Sequence, residues 1–177
     1  MLITKIIGAF FIIGATTLYG YGLTRELTCR IRTLKSLKRA FFLLRSEIRY
    51  GMETLTEAFM HIGERCGTTE TLVRDFFWAV GTQLRENPQT GLKKLWEEKA
   101  LLLAKEAHLN GNEADRLVQS VQSLGYLDVE QQLNSIDLYL ENVEEDIETL
   151  TKKYEGTCRM YTGLGMMAGL FLTIVLV

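Results

Sequence analysis

Apolar residues dominate long uncharged runs at the two ends of this chain and recur at steps of three and four between them. From Ile6 to Leu23 the sequence reads IIGAFFIIGATTLYGYGL, and from Met160 to Val177 it reads MYTGLGMMAGLFLTIVLV. Neither run contains a charged residue. Eighteen residues at helical rise cover about 27 Å, close to the roughly 30 Å hydrocarbon core of a bilayer. Each run therefore predicts a transmembrane helix. The competing reading, a buried core helix, is weaker, because only about 135 residues remain to cover two helices that are apolar on every side. A cleaved signal peptide fits the first run poorly. Lys5 alone precedes it, no small-residue cleavage site closes it, and the basic residues follow it.

Between the ends, Val129, Leu133, Ile136, Leu140, Val143, Ile147, Leu150 and Tyr154 alternate steps of four and three. This heptad seam predicts one long helix that starts after an Asp128 N-cap and continues into the second apolar run. Leu27, Ile31, Leu34, Leu37, Phe41, Leu44 and Ile48 extend the first run in the same way, as far as Tyr50-Gly51. If the two long helices are antiparallel, Lys38 and Arg39 fall level with Glu144, Glu145, Asp146 and Glu148. Two solvated faces that never meet are the alternative, and exposed ion pairs contribute only about 0–1 kcal/mol.

Shorter helices are expected between them. Thr54 with Glu57 three residues on is a capping-box pattern. The next helix should turn Leu72, Phe76, Ala79, Val80 and Leu84 inward before Asn87-Pro88. A third runs from Thr90 toward Asn110-Gly111, and a fourth turns Leu117, Val118, Val121 and Leu124 inward. Trp78 and Trp96 read as core residues. No segment alternates with period two, and there is one proline, Pro88. The expected fold is all-α: a helical bundle built on a long antiparallel helix pair whose outer ends continue as transmembrane helices. The expected division is 1–24 span, 25–159 cytoplasmic bundle and 160–177 span.

Charge sets the orientation. The stretch Arg25–Arg45 carries seven basic residues against Glu26. Arg25, Arg30, Arg32, Lys35, Lys38 and Arg39 lie within the window after a span in which basic residues hold the following segment in the cytoplasm. They can also attract anionic lipid. Lys152, Lys153 and Arg159 flank the second span likewise, so both termini are expected outside. A net charge of −2 and a pI near 5.8 argue against a dedicated nucleic-acid binder. A membrane-tethered nucleic-acid-binding or regulatory helical protein remains the alternative.

The chain offers no catalytic constellation. It has no phosphate-binding glycine loop, H-E-x-x-H or G-x-S-x-G. His61 and His108 each read more readily as structural than as ligand or catalyst, and Cys29, Cys66 and Cys158 lack metal-site spacing. The expectation is a non-enzyme with no cofactor and no metal. Inside the second span, Gly165 and Gly169 form a G-x-x-x-G, and Thr16 with Gly20 is a weaker small-residue pair in the first. Such pairs let a second helix approach closely.

SEIRYGMETLTEAFMHIG from Ser46 and LGYLDVEQQLNSIDLYLENVE from Leu124, together with both apolar ends, resemble the stage III sporulation protein AB family. Members often carry Thr-Pro-Leu where this chain has Glu53-Thr54-Leu55. The resemblance implies a mother-cell membrane facing a forespore, and a helical domain similar to the inner-membrane platforms of type II secretion and type IV pilus machines. It also implies a stage III sporulation protein AA-like ATPase and other membrane components of the channel complex as partners; if the chain is such a platform, assembly of more than one copy is expected.

Overall fold

Among the described residues, six α-helices account for the regular structure and no strand occurs. The computed structural model describes residues 2–50, 54–66, 71–87, 89, 91–122, 124 and 128–176. Within these, side chains are described for 25–157 and for Met160. The helices are α1 (Leu2–Tyr50), α2 (Leu55–Arg65), α3 (Thr71–Glu86), α4 (Leu92–Glu106), α5 (Gly111–Gln119) and α6 (Val129–Leu176). Two compact units result: residues 1–28 with 149–177, and Cys29–Glu148. In the first unit Leu27 and Leu150 are buried. No helix is long and apolar enough to cross a membrane among the described residues. The side chains of both expected spans, 6–23 and 160–177, lie outside them, Met160 excepted.

The core of Cys29–Glu148 is aromatic. Phe41 of α1 meets Tyr139 of α6 with ring centroids 4.2 Å apart, and Trp96 of α4 edge-on at 6.1 Å. Phe59, Phe76 and Phe77 complete the cluster around Trp96, at 5.6, 4.7 and 5.7 Å. Edge-to-face pairs at such distances add about 0.5–1.5 kcal/mol each beyond the area that they bury. The Trp96 Nε1–H donates to the Leu117 carbonyl at 2.8 Å, so the indole brings no unpaired donor into the core. Trp78 does not join it. Contrary to the sequence expectation it is 41% exposed, because α3 is rotated to bury Val73, Phe76, Phe77, Val80 and Gly81. Leu72, Ala79 and Leu84 are only half-buried.

Two glycines cause that rotation. A Cβ on Gly63 of α2 would lie 3.0 Å from the Trp78 backbone nitrogen. One on Gly81 of α3 would lie 2.6 Å from Met60 Cγ and 3.0 Å from its backbone nitrogen. α2 and α3 therefore cross where each has no side chain, which turns Trp78 outward.

The helix ends follow local chemistry. Thr54 and Glu57 form the expected capping box at α2. The Gln131 N–H donates to the Asp128 carboxylate at 3.0 Å, which makes Asp128 the cap of α6. The α4–α5 corner departs from expectation. α4 ends at Glu106, Leu109 N–H bonds back to the Ala104 carbonyl at 2.9 Å, and His108 between them has φ 56°. His108 thus occupies the left-handed position that glycine usually takes after a helix. Asn110, expected at the end of α4, instead opens α5 in a second capping box with Glu113.

Candidate functional site

Along α1 and α6 the seam residues Leu34, Leu37, Phe41 and Leu44, and Leu133, Ile136, Leu140 and Val143, are buried. Val129, the first residue of the expected α6 seam, is 52% exposed. Beside these stripes, Lys38 Nζ reaches Glu144 Oε1 at 2.8 Å, and Arg45 binds both carboxylate oxygens of Asp137, the Nη2 bond being 3.0 Å. Residue numbers fall on α6 as they rise on α1, so the two helices run antiparallel through this stretch. The Lys38–Glu144 contact is the level expected from the sequence. Asp137 raises the pKa of Arg45, chiefly through their hydrogen bond.

Six basic residues on α1 were expected to act in topology and lipid attraction, and the structure divides them. Arg25, Arg32, Lys35 and Arg39 are exposed. Lys38 is held by Glu144, and its Nζ lies 6.0 Å from the centroid of the exposed Phe42 ring. Arg30 is taken up inside the chain: its Nε and Nη2 donate to Glu113 Oε2 and Oε1, both at 2.7 Å. Only 2% of the Glu113 side chain is exposed. The same carboxylate also accepts the Asn110 N–H at 2.9 Å, completing the α5 cap. Glu113 was not singled out in the sequence, although Asn110-x-x-Glu113 ahead of Leu117 is a capping-box spacing.

Nearby, Arg116 grips Asp146 of α6 at 3.0 and 3.3 Å. Burial nevertheless holds the Asp146 carboxyl above its ordinary range, outweighing the pull of Arg116. Burial also pushes the Tyr139 phenol up.

The other candidates do not converge. His61 lines a surface groove with Glu57, Glu64 and Arg85, and His108 is exposed at the α4–α5 corner. Cys29 and Cys66 are free cysteines, and the Cys158 side chain lies outside the described residues. No group of acidic, histidine or cysteine side chains that could hold a metal occurs among the described residues. Thr16, Gly20, Gly165 and Gly169 fall within α1 and α6, with their side-chain surroundings outside the described residues.

What the geometry defines is an all-helical protein whose charged side chains serve packing, capping and exposed helix faces. The stage III sporulation protein AB family model matches residues 5–177, and the chain belongs to that family. Stage III sporulation protein AB of Bacillus subtilis (strain 168) is 31% identical over 175 residues, covering 97% of this chain and 98% of the relative. No solved structure matches. The role of the chain is accordingly in sporulation.

Proposed function

We propose that this chain is a non-catalytic membrane platform of a secretion-like apparatus joining mother cell and forespore, and that its helical unit docks a cytosolic ATPase similar to stage III sporulation protein AA. The continuity of α1 and α6 carries this reading. Each is a single helix, of 49 and 48 residues, with an uncharged run of eighteen residues (6–23 and 160–177) toward its chain terminus and a buried seam in an aromatic-centred bundle at its other end. In both cases the helical backbone continues from the apolar run into the bundle sequence with no intervening loop. Residues 6–23 and 160–177 are the spans, residues 25–159 face the cytoplasm, and both termini lie outside. Arg25 stands nearest the headgroups, where a basic residue is worth about 1 kcal/mol on an anionic surface. Gly165 with Gly169, and Thr16 with Gly20, are the close-approach points for a second helix.

Topology is tested first. Single cysteines near Met1, near Val177 and at Gly111, in a chain without its native cysteines, are challenged on intact cells with an impermeant thiol reagent. The reading requires labelling at both ends and protection at Gly111. The docking claim fails if the full chain, solubilised from sporulating cells, brings no ATPase-like partner with it.

The exposed basic row favours one other reading, a membrane-tethered nucleic-acid binder. It requires binding that weakens steeply with salt as phosphate counterions are released. Negligible binding at low salt removes it.

A further inference from the structure

We propose that two copies of this chain associate through the outward faces of α1 and α6, the α1 of each copy lying antiparallel against the α6 of the other. Lys35, Arg39 and Phe42 stand on the side of α1 turned from the core, at steps of four and three. Leu138, Glu141 and Glu145 stand on the corresponding side of α6, at steps of three and four. Laid antiparallel, the two rows match residue for residue: Lys35 meets Glu145, Arg39 meets Glu141 and Phe42 meets Leu138. Phe42 and Leu138 are 52% and 62% exposed, large apolar surfaces at the same end of their rows. Lys35, Arg39, Glu141 and Glu145 have no ion-pair partner among the described residues.

The geometry within one chain brings these rows to the same level. Lys38–Glu144 and Arg45–Asp137 already place α1 and α6 side by side and antiparallel. A two-fold axis along the helices, in front of this face, keeps every residue at its height and sets each α1 opposite the partner's α6. The intermolecular register is therefore the intramolecular one, within two residues. Pairing α1 with a second α1 instead sets Lys35 against Arg39, like against like. The apolar contact supplies attraction, and the charges select partner and register.

Lipid does not account for these basic residues. At helical rise, Lys35 and Arg39 lie about 18 and 24 Å beyond Leu23, more than twice the screening length of roughly 8 Å. The proposal does not depend on the ATPase, and its test reads contacts between copies alone.

Two differently tagged full-length chains without native cysteines are co-expressed, one carrying Arg39→Cys and the other Glu141→Cys. Membranes are treated with a short bifunctional thiol reagent. A doubly tagged product is expected for this pair and for Lys35→Cys with Glu145→Cys, but not for Arg39→Cys with the control Glu97→Cys on α4. In the chain with native cysteines, Lys35→Glu with Arg39→Glu should reduce the detergent-solubilised protein to the mass of a single copy. Adding Glu141→Arg and Glu145→Lys should restore the dimer. Equal product at the control pair, no product at all, or a reversal that leaves mass unchanged overturns the proposal. So does a charge swap that fails to restore the dimer.

Discussion

Arg30 and Glu113 meet fork to fork, two nitrogens of one against two oxygens of the other, both at 2.7 Å. The two are 83 residues apart, and the pair ties α1 to the first turn of α5. Removing either partner strands a buried or half-buried charge, which costs about 3–5 kcal/mol. Glu113→Ala should cost more than Arg30→Ala, because Glu113 also accepts the Asn110 N–H. Urea unfolding of the detergent-solubilised chain, followed by helical circular dichroism, measures the difference.

At the α2–α3 crossing, alanine should be harmful where helix propensity alone would favour it. Gly63→Ala drives a methyl toward the Trp78 backbone, and Gly81→Ala drives one toward Met60. Alanine gains about 1 kcal/mol in an exposed helix interior. Overpacking costs about 1–3 kcal/mol and should outweigh that gain. Both variants should melt below the parent, and the double variant should lose less than the two losses added, since one separation of the helices relieves both clashes.

His108→Gly should stabilise. The left-handed conformation at φ 56° costs a residue with a Cβ about 1 kcal/mol, and glycine removes that cost. A melting temperature unchanged or lowered would mean that the imidazole contributes something at this corner.

The α2 cap should be sensitive to acid. The Thr54 backbone N–H, and then its hydroxyl, hold the Glu57 carboxyl below its ordinary range. The folded state therefore binds this proton less readily than the unfolded chain does. The stabilisation is complete above the unfolded carboxyl's pKa and is lost as pH falls through the lowered one. Asp146 runs the other way: its raised pKa means that its contribution falls as pH rises through the acid range. In a titration of stability against pH, Glu57→Gln should flatten the acid limb, whereas Asp146→Asn should steepen it.

Helix positions, the α2 and α6 caps and the central seam residues of α1 and α6 were legible because each follows from spacing along one helix, whereas the Lys38–Glu144 level followed only on the condition that the two helices run antiparallel. The inward face of α3 was legible in part. Phe76 and Val80 are buried as expected, but Leu72, Ala79 and Leu84 give way to Val73, Phe77 and Gly81, a shift set by the close approach of α2 at Gly63 and Gly81. Arg30 read as one of six similar basic residues for a related reason. What distinguishes it is a carboxylate brought in by α5, which local periodicity does not reveal. The exposed rows on α1 and α6 were visible as charges, while their matching order emerged only once the two helices were known to run antiparallel.

The antiparallel contacts of α1 and α6 also restrict how a chain of this kind can change length. One residue inserted between Lys38 and Arg45 would turn the rest of α1 by about 100° and carry Arg45 away from Asp137. Between these contacts, either helix can then grow or shrink only by whole heptads, matched by an equal change in the other. Single-residue insertions and deletions among relatives should accordingly collect in the connections between α2 and α5, leaving residues 38–45 and 137–144 as a paired ruler of constant graduation.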